Sequence, residues 1–569
     1  MKRYLIMAEE HKLDAFAPLF AADSYTAAER GQLAPFFTNL TRSVYAPLIF
    51  SPEVIGALCS RASRAAGDLR RVFLDEYITP FLAHEDDAYG QELRELIAFL
   101  QAHPIEQIFS NPRARSFYAK WLAQYGDDSI AQMAGTHLVF GALSQVAIKY
   151  FEDQRIGLAP IEKSTRYVDY SAKVNGQYLY YVDPTLTDLG LEAEYRSAMD
   201  GLFETYAALK APLMAWITQQ FPEEKPGVVE KKAFDTLRGL LPAATLSQVA
   251  FFGNGQAFEY MIARSAGYRL GEIRWASAAA FVELSRVVPA FLRRLRDPDS
   301  LSLAEEYQTY KAKQNQRVAP LAQQHLADVQ PARGEAGPRV TLVDFDPEGE
   351  IKIVAAMLYS ASANRAPWAE TVDAVRRLST AAKREIIAQY LSGRTQRWQK
   401  VGRAFEQAYL RYEIIMNIGA WRDLHRHRML SQQRQQFSIQ YGYDVPSEII
   451  AAGLKDTFRA AIARAESVYE NISQKDHELA QYAVTLAHRL RFMQWTSVRE
   501  CFWEMELRTI PEGHGDYRLI EHEKFRLFAQ VYPLLAEHMR VNLGAYDFAR
   551  RGQEEKIEAK LRSLAKSVV

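Results

Sequence analysis

The chain has 569 residues, 48% hydrophobic and 24% charged, an ordinary soluble globular composition in a chain too long for one core. Lys plus Arg and Asp plus Glu both number 69, so the formal net charge is zero. That argues against an affinity resting on a general phosphate-backbone field, so no nucleic-acid partner is expected, but it leaves room for a local cationic pocket that takes one nucleotide.

The elements follow in chain order. The apolar start at residues 4–8 is cut short by Glu9 and Glu10, too soon for a signal peptide, and no apolar run reaches membrane-spanning length. With two cysteines, Cys59 and Cys501, the expected setting is a reducing, cytoplasmic one, without a disulfide framework, a CxxC site or a membrane partner. Residues 1–30 are expected to form a helical N-terminal extension and residues 31–325 a first domain. Apolar spacing predicts helix over residues 67–99 and 276–295. Residues 167–182, rich in Tyr and Val around Asn175-Gly176, predict a hairpin. Residues 326–338, with two Pro and two Gly, read as a linker. A strand over 339–345 and a helix over 350–360 then open a second domain, residues 339–569.

The halves repeat one faint pattern: an apolar helix running into an Arg-containing turn, a polar segment, and a helix with a late Arg. In the first half it is GALSQVAIKYFEDQR, EKSTRY and FGNGQAFEYMIAR; in the second, IIMNIGAWRDLHRHR, SQQRQQFSIQY and WTSVRECFWEMELR.

Three constellations carry possible chemistry. His425-Arg426-His427-Arg428 crowds basic groups that an anion would relieve, or it is a solvated helix terminus suited to the dipole. A metal is the poorer reading, because His425 and His427 diverge on a helix. Glu162-Lys163-Ser164-Thr165-Arg166-Tyr167, if extended, puts Glu162, Ser164 and Arg166 on one face able to hold a carbonyl, a hydroxyl and a phosphate; the alternative is a polar turn with an ion pair. Arg238-Gly239-Leu240-Leu241-Pro242 precedes Gly253-Asn254-Gly255 and Arg264. Arg264, on an otherwise apolar helix face, needs an anionic or carbonyl partner, or else an ion pair with Glu259 or Glu272.

Together these pieces resemble the flavin-dependent thymidylate synthase family. Its signature is Arg-His-Arg, seven residues, then Ser, continuing as Glu-x-Ser-x-Arg-Tyr, with an upstream Ser-x-x-Glu-His, a downstream Ala-Arg-x-x-Leu-Pro and a late arginine helix. The resemblance spans roughly residues 110–275 and 340–510, and implies a helix-rich α+β fold in two tandem copies, each a small twisted sheet packed with long helices. In the first copy Glu162, Ser164, Arg166, Tyr167 and Arg238 match the substrate-binding positions, Asn254 the late-helix Asn, grouped with the cofactor contacts, and Arg264 the catalytic Arg that polarises the uracil ring. Gln154-Arg155-Ile156 replaces Arg-His-Arg, and Gln132-Met133 replaces Glu-His. In the second copy Arg426, His427 and Arg428, with Arg499 and Arg508, match the flavin-binding positions, while Gln436 stands for the signature Ser and Arg434 for the Glu. The implied activity is FAD-dependent thymidylate synthesis, the reductive methylation of dUMP to dTMP with methylenetetrahydrofolate and NADPH as co-substrates and no metal. The family's inter-subunit sites imply a homodimer forming a pseudo-tetramer, in which one half presents the nucleotide to a flavin held by the other. The rivals are a flavoenzyme of this fold acting on another nucleotide, a non-catalytic flavin- or nucleotide-binding homologue, and a helical protein that binds nucleic acid through its basic cluster.

Overall fold

The computed structural model describes residues 13–83, 88–103, 111–118, 120, 128–295, 301–329, 339–361, 365–548, 559, 562 and 563. It divides into two compact units. The first comprises Met1–Gln219, Ala233–Pro331 and Ser447–Thr485; the second comprises Gln220–Lys232, Ala332–Pro446 and Leu486–Val569.

Unit 1 is built on a four-stranded sheet of β1 (Val44–Tyr45), β2 (Gly135–Leu143), β3 (Leu158–Glu162) and β4 (Ser247–Asn254), ordered β1-β2-β4-β3. Its helices include α1 (Pro52–Ala62), α2 (Leu69–Phe73), α3 (Gln145–Glu152), α4 (Glu192–Gln220, whose final residue falls in the second unit), α5 (Gly255–Ser265) and α6 (Gly271–Val287). Leu58, Ala62, Leu69 and Phe73 pack in one buried core with Val139 of β2 and Ala250 of β4, so the N-terminal helices cover a face of the sheet. Unit 2 repeats the plan. Its strands β5 (Val340–Phe345), β6 (Tyr409–Asn417), β7 (Ser431–Arg434) and β8 (Arg489–Ser497) are ordered β5-β6-β8-β7. Its helices include α7 (Gly349–Tyr359), α8 (Ile418–Leu424), α9 (Val498–Arg508) and α10 (Gly515–Val531). All pairings in both sheets are antiparallel. Along β6, Leu410, Tyr412, Ile414 and Met416 are buried while Arg411 is exposed, the period-two alternation of a sheet with one covered face.

The fold is therefore the helix-rich α+β one expected, in two copies with the same strand order. The strand and helix expected at 339–345 and 350–360 are β5 and α7. Other expectations change. Residues 1–12 lie outside the described residues, and after the short turn Asp14–Phe16 the chain is irregular until the helix Ala27–Leu33, which Thr26 and Glu29 start with a capping box. The helix expected over 67–99 is broken into α2, a π-helical turn Leu74–Ile78, Thr79–Leu82 and Ala88–Ala102, and residues 84–87 fall outside the described ones. Helix α6 stops at Val287, because Val288 precedes Pro289 and a residue before proline is driven out of the helical region. The 167–182 hairpin shrinks to one bridge, Val174 to Gln177, around Asn175 and Gly176 at φ 50 and 79. Its second arm pairs elsewhere: the Tyr181 amide donates to the Ala244 carbonyl at 2.8 Å, and Tyr178 stacks on Phe203 of α4. Burying those rings against α4 outweighs a local hairpin. Residues 330–338 of the expected linker lie outside the described residues.

Candidate functional site

In unit 1, β3 delivers Glu162 into the interior, where the fully buried Lys149 of α3 holds both it and Glu152, the latter at 2.6 Å. A buried ammonium needs such partners. The chain then turns. The Ser164 amide donates to the Ser63 carbonyl at 2.8 Å, and Ser164 Oγ accepts the Arg166 amide at 3.2 Å. This aims Arg166 at Asp235, with Nη2 2.8 Å from Oδ2. Arg238, on the 3-10 turn Arg238–Leu240, reaches the same carboxylate, Nη1 3.4 Å from Oδ1. Two guanidinium groups thus share one carboxylate. Asp235 was missed in the sequence; its signal is the three-residue helical spacing to Arg238. Tyr167 lies under the Arg64 guanidinium, 5.7 Å from the ring centroid.

Asn254 is the N-cap of α5, its side chain accepting the Ala257 amide at 2.8 Å. Arg264, near the end of α5, donates through Nη2 to the Tyr150 carbonyl and lies 4.4 Å from the Tyr150 ring centroid, while Tyr150 Oη donates back to the Arg264 carbonyl at 2.9 Å. The ion pair with Glu259 or Glu272 does not form. Glu259 takes Arg294, with Nε at 2.7 Å. Glu272 accepts the Ser144 amide at 2.8 Å, Ser144 Oγ at 2.6 Å and Tyr482 Oη at 2.8 Å. Complete burial pushes Glu272 up to about 7 against those donors. Arg264 Nε is buried and has no hydrogen-bond partner among the described residues.

In unit 2, α8 is capped by Asn417 and ends at His425. His427 is buried, with Nδ1 2.7 Å from Glu500 Oε1, and Arg508 Nε donates to its Nε2 at 2.9 Å. A guanidinium cannot accept, so Nε2 is the acceptor and the network assigns the ring proton to Nδ1, facing Glu500. Arg426 and Arg428 on either side are exposed, with Arg426 Nη1 3.6 Å from Asp423. Arg499 pairs with Glu406. Arg434, standing for the signature Glu, lies over Phe437 at 4.9 Å and Trp421 at 5.5 Å. On α9, the buried Glu504 shares Lys524 with Glu521, at 2.6 and 3.0 Å, and burial beside Glu504 pushes Glu521 up.

The copies correspond residue by residue at their turns. Ser144 and Asn417 each cap the helix after the second strand of their sheet, and each contacts the acidic residue that follows a glycine at the start of α6 or α10: Ser144 with Glu272, and Asn417 with Asp516 at 2.6 Å. Counted from these caps, Gln154 and His427 are equivalent, so Asp153-Gln154-Arg155, one residue earlier than the sequence match, stands opposite Arg426-His427-Arg428. Gln154 donates to the Ala257 carbonyl where His427 meets Glu500. Gln481 opens the 3-10 turn before β8 as Arg238 opens the one before β4, so the second copy lacks that arginine.

Residues 89–290 and 341–534 both match the family described as Thymidylate synthase complementing protein. The chain belongs to that family. The two matches are its two copies, and the family is the flavin-dependent one that the motifs resemble. The chain is 33% identical over 545 residues to a UPF0159 protein of Chlamydia pneumoniae, covering 94% of this chain and 98% of that one. A UPF0159 protein of Chlamydia muridarum is 32% identical, covering 94% and 99%, and one of Thermoplasma acidophilum is 29% identical, covering 88% and 97%. A solved UMP/dUMP methylase from Streptomyces cacaoi, bound with 5-Br dUMP, aligns at 15% identity with a TM-score of 0.29, over 37% of this chain and 99% of that one. Among the described residues no helix is long and apolar enough to cross a membrane.

Proposed function

We propose that the chain is an FAD-dependent thymidylate synthase that converts dUMP to dTMP. The observation that carries this reading is the convergence of Arg166 and Arg238, from the family's two nucleotide motifs, on one carboxylate. Two guanidinium groups fixed around an anion suit a nucleotide phosphate, which each can grip with paired donors. Ser164 adds a hydroxyl beside them. Arg264 has a buried Nε–H without an acceptor among the described residues, as a donor kept for a pyrimidine carbonyl would. For the flavin, Arg426 and Arg428 expose planar donors beside an imidazole locked from both sides, a donor set that suits a pyrophosphate or ring carbonyls. When bound, the flavin supplies the hydride and NADPH restores it, while methylenetetrahydrofolate supplies the carbon. A thiol route is disfavoured, because both cysteines are buried, with Cys59 pushed up to about 12 and Cys501 also raised.

The test is tritium release from dUMP labelled at C5 by the purified flavin-bearing chain. The wild type should release tritium when methylenetetrahydrofolate and NADPH are present. Arg166→Ala and Arg238→Ala should each cut the rate by a hundredfold or more, on the order of 3 kcal/mol of transition-state stabilisation. A flavin-loaded wild type that releases none would point instead to a flavoenzyme of this fold with another nucleotide substrate.

A further inference from the structure

We propose that Arg64, from the N-terminal helical layer, is a further substrate-binding residue that gives its guanidinium to the phosphate of a nucleotide held by Ser164, Arg166 and Arg238; this rests on the nucleotide reading of that site. The loop Ser63–Gly67 joins α1 to α2 and precedes residue 89, where the first family match begins. It is fastened to the nucleotide motif at successive points. The Ser63 carbonyl accepts the Ser164 amide at 2.8 Å. Lys163 Nζ donates to the carbonyls of Ala66 at 2.8 Å and Gly67 at 2.9 Å. Between these ties, the Arg64 guanidinium lies 5.7 Å from the Tyr167 ring centroid.

The loop's two flanks are immobilised by packing. Leu58 and Ala62 before it and Leu69 after it are buried in the core that includes Val139 and Ala250 of the sheet carrying the motif. Asp68 caps α2 through the Arg70 amide at 2.9 Å, which fixes where the loop ends. Lys163 therefore serves as a clamp: its ammonium is given over to two backbone carbonyls, and burial holds its pKa down. Arg64 is the cation this clamp leaves at the surface. It is exposed and forms no ion pair with any carboxylate among the described residues, whereas Arg166 and Arg238 both have Asp235. A guanidinium held over a motif tyrosine, with no carboxylate to surrender, can take an incoming anion without first breaking a salt bridge. The ligand class is a nucleoside monophosphate, as distinct from the neutral nucleoside.

Calorimetric titration of the full-length chain with dUMP and with deoxyuridine tests this, comparing wild type, Arg64→Ala, Arg64→Lys and Arg166→Ala, with the thermal midpoint of each recorded. Arg64→Ala should weaken dUMP about tenfold, the loss of one charge-assisted contact, and leave deoxyuridine and the thermal midpoint unchanged. Arg64→Lys should recover part of that loss. If Arg64→Ala binds dUMP like the wild type while Arg166→Ala does not, this inference is overturned and the site reading stands. A loss of dUMP and deoxyuridine together, with a lowered midpoint, would make Arg64 structural and also overturn it. If Arg166→Ala leaves dUMP binding intact, the nucleotide reading itself falls, and this inference with it.

Discussion

Asp235 and Glu272 show how surroundings set the behaviour of a carboxylate. Asp235 stands between two guanidinium groups, and its charge is what they need. Glu272 is more deeply enclosed, completely buried, and its partners are an amide and two hydroxyls, with no cation among them. Burial therefore wins, and Glu272 is pushed up to about 7. The folded chain then holds this proton more tightly than the unfolded chain, whose glutamate titrates near 4.5. The stability that this group contributes is full below the unfolded value and is lost as pH rises toward 7. Its size is on the order of 3 kcal/mol. Urea unfolding between about pH 4.5 and 7 checks the sign: Glu272→Gln should show a flatter decline of stability with pH than the wild type. Parallel curves would mean that Glu272 is ionised throughout.

At the scale of the element, each copy depends on how a helix starts. Asn417 caps α8 through the Ala420 amide at 2.8 Å, and its Nδ2 donates to Asp444 at 3.0 Å and Asp516 at 2.6 Å. Asn417→Ala should cost roughly 1–2 kcal/mol, about that of a lost N-cap, read as a lower urea midpoint. Asn417→Asp keeps a capping oxygen but sets a third carboxylate beside two, so it too should destabilise, more at low than at high ionic strength. A neutral Asn417→Asp would show that the amide donor is dispensable. The caps are legible in the sequence in part: Asn254 enters there as the match to the family's late-helix Asn, and the structure makes it the N-cap of α5. The hairpin at 167–182 failed for a different reason. Its tyrosines gain more by packing on α4, a partner distant in sequence, than by pairing with each other.

At the scale of the molecule, the motif residues sort by unit. Ser164, Arg166, Arg238 and Arg264 belong to the first; Arg426, His427, Arg428, Arg499 and Arg508 belong to the second. The expected consequence is separable ligand loss. On the proposed function, Arg426→Ala with Arg428→Ala should abolish flavin absorbance in the purified chain while calorimetry still registers dUMP. Arg166→Ala should do the reverse. Loss of both ligands from either change would contradict two independent binding sets. His427 is the wrong residue for that experiment, since it is buried between Glu500 and Arg508 and its removal would take from each the hydrogen-bond partner that the imidazole supplies.

The family, the duplication and the motif residues followed from the sequence alone, because residue order and spacing along a strand or turn are local properties. Partner choice was decided only by the tertiary structure. Arg264 faces the Tyr150 carbonyl instead of either nearby glutamate, Glu162 turns inward to Lys149, and Arg166 and Arg238 meet at Asp235. The physical reason is that a buried charge takes whichever partner the packed chain brings within hydrogen-bond reach, and sequence distance does not measure that reach.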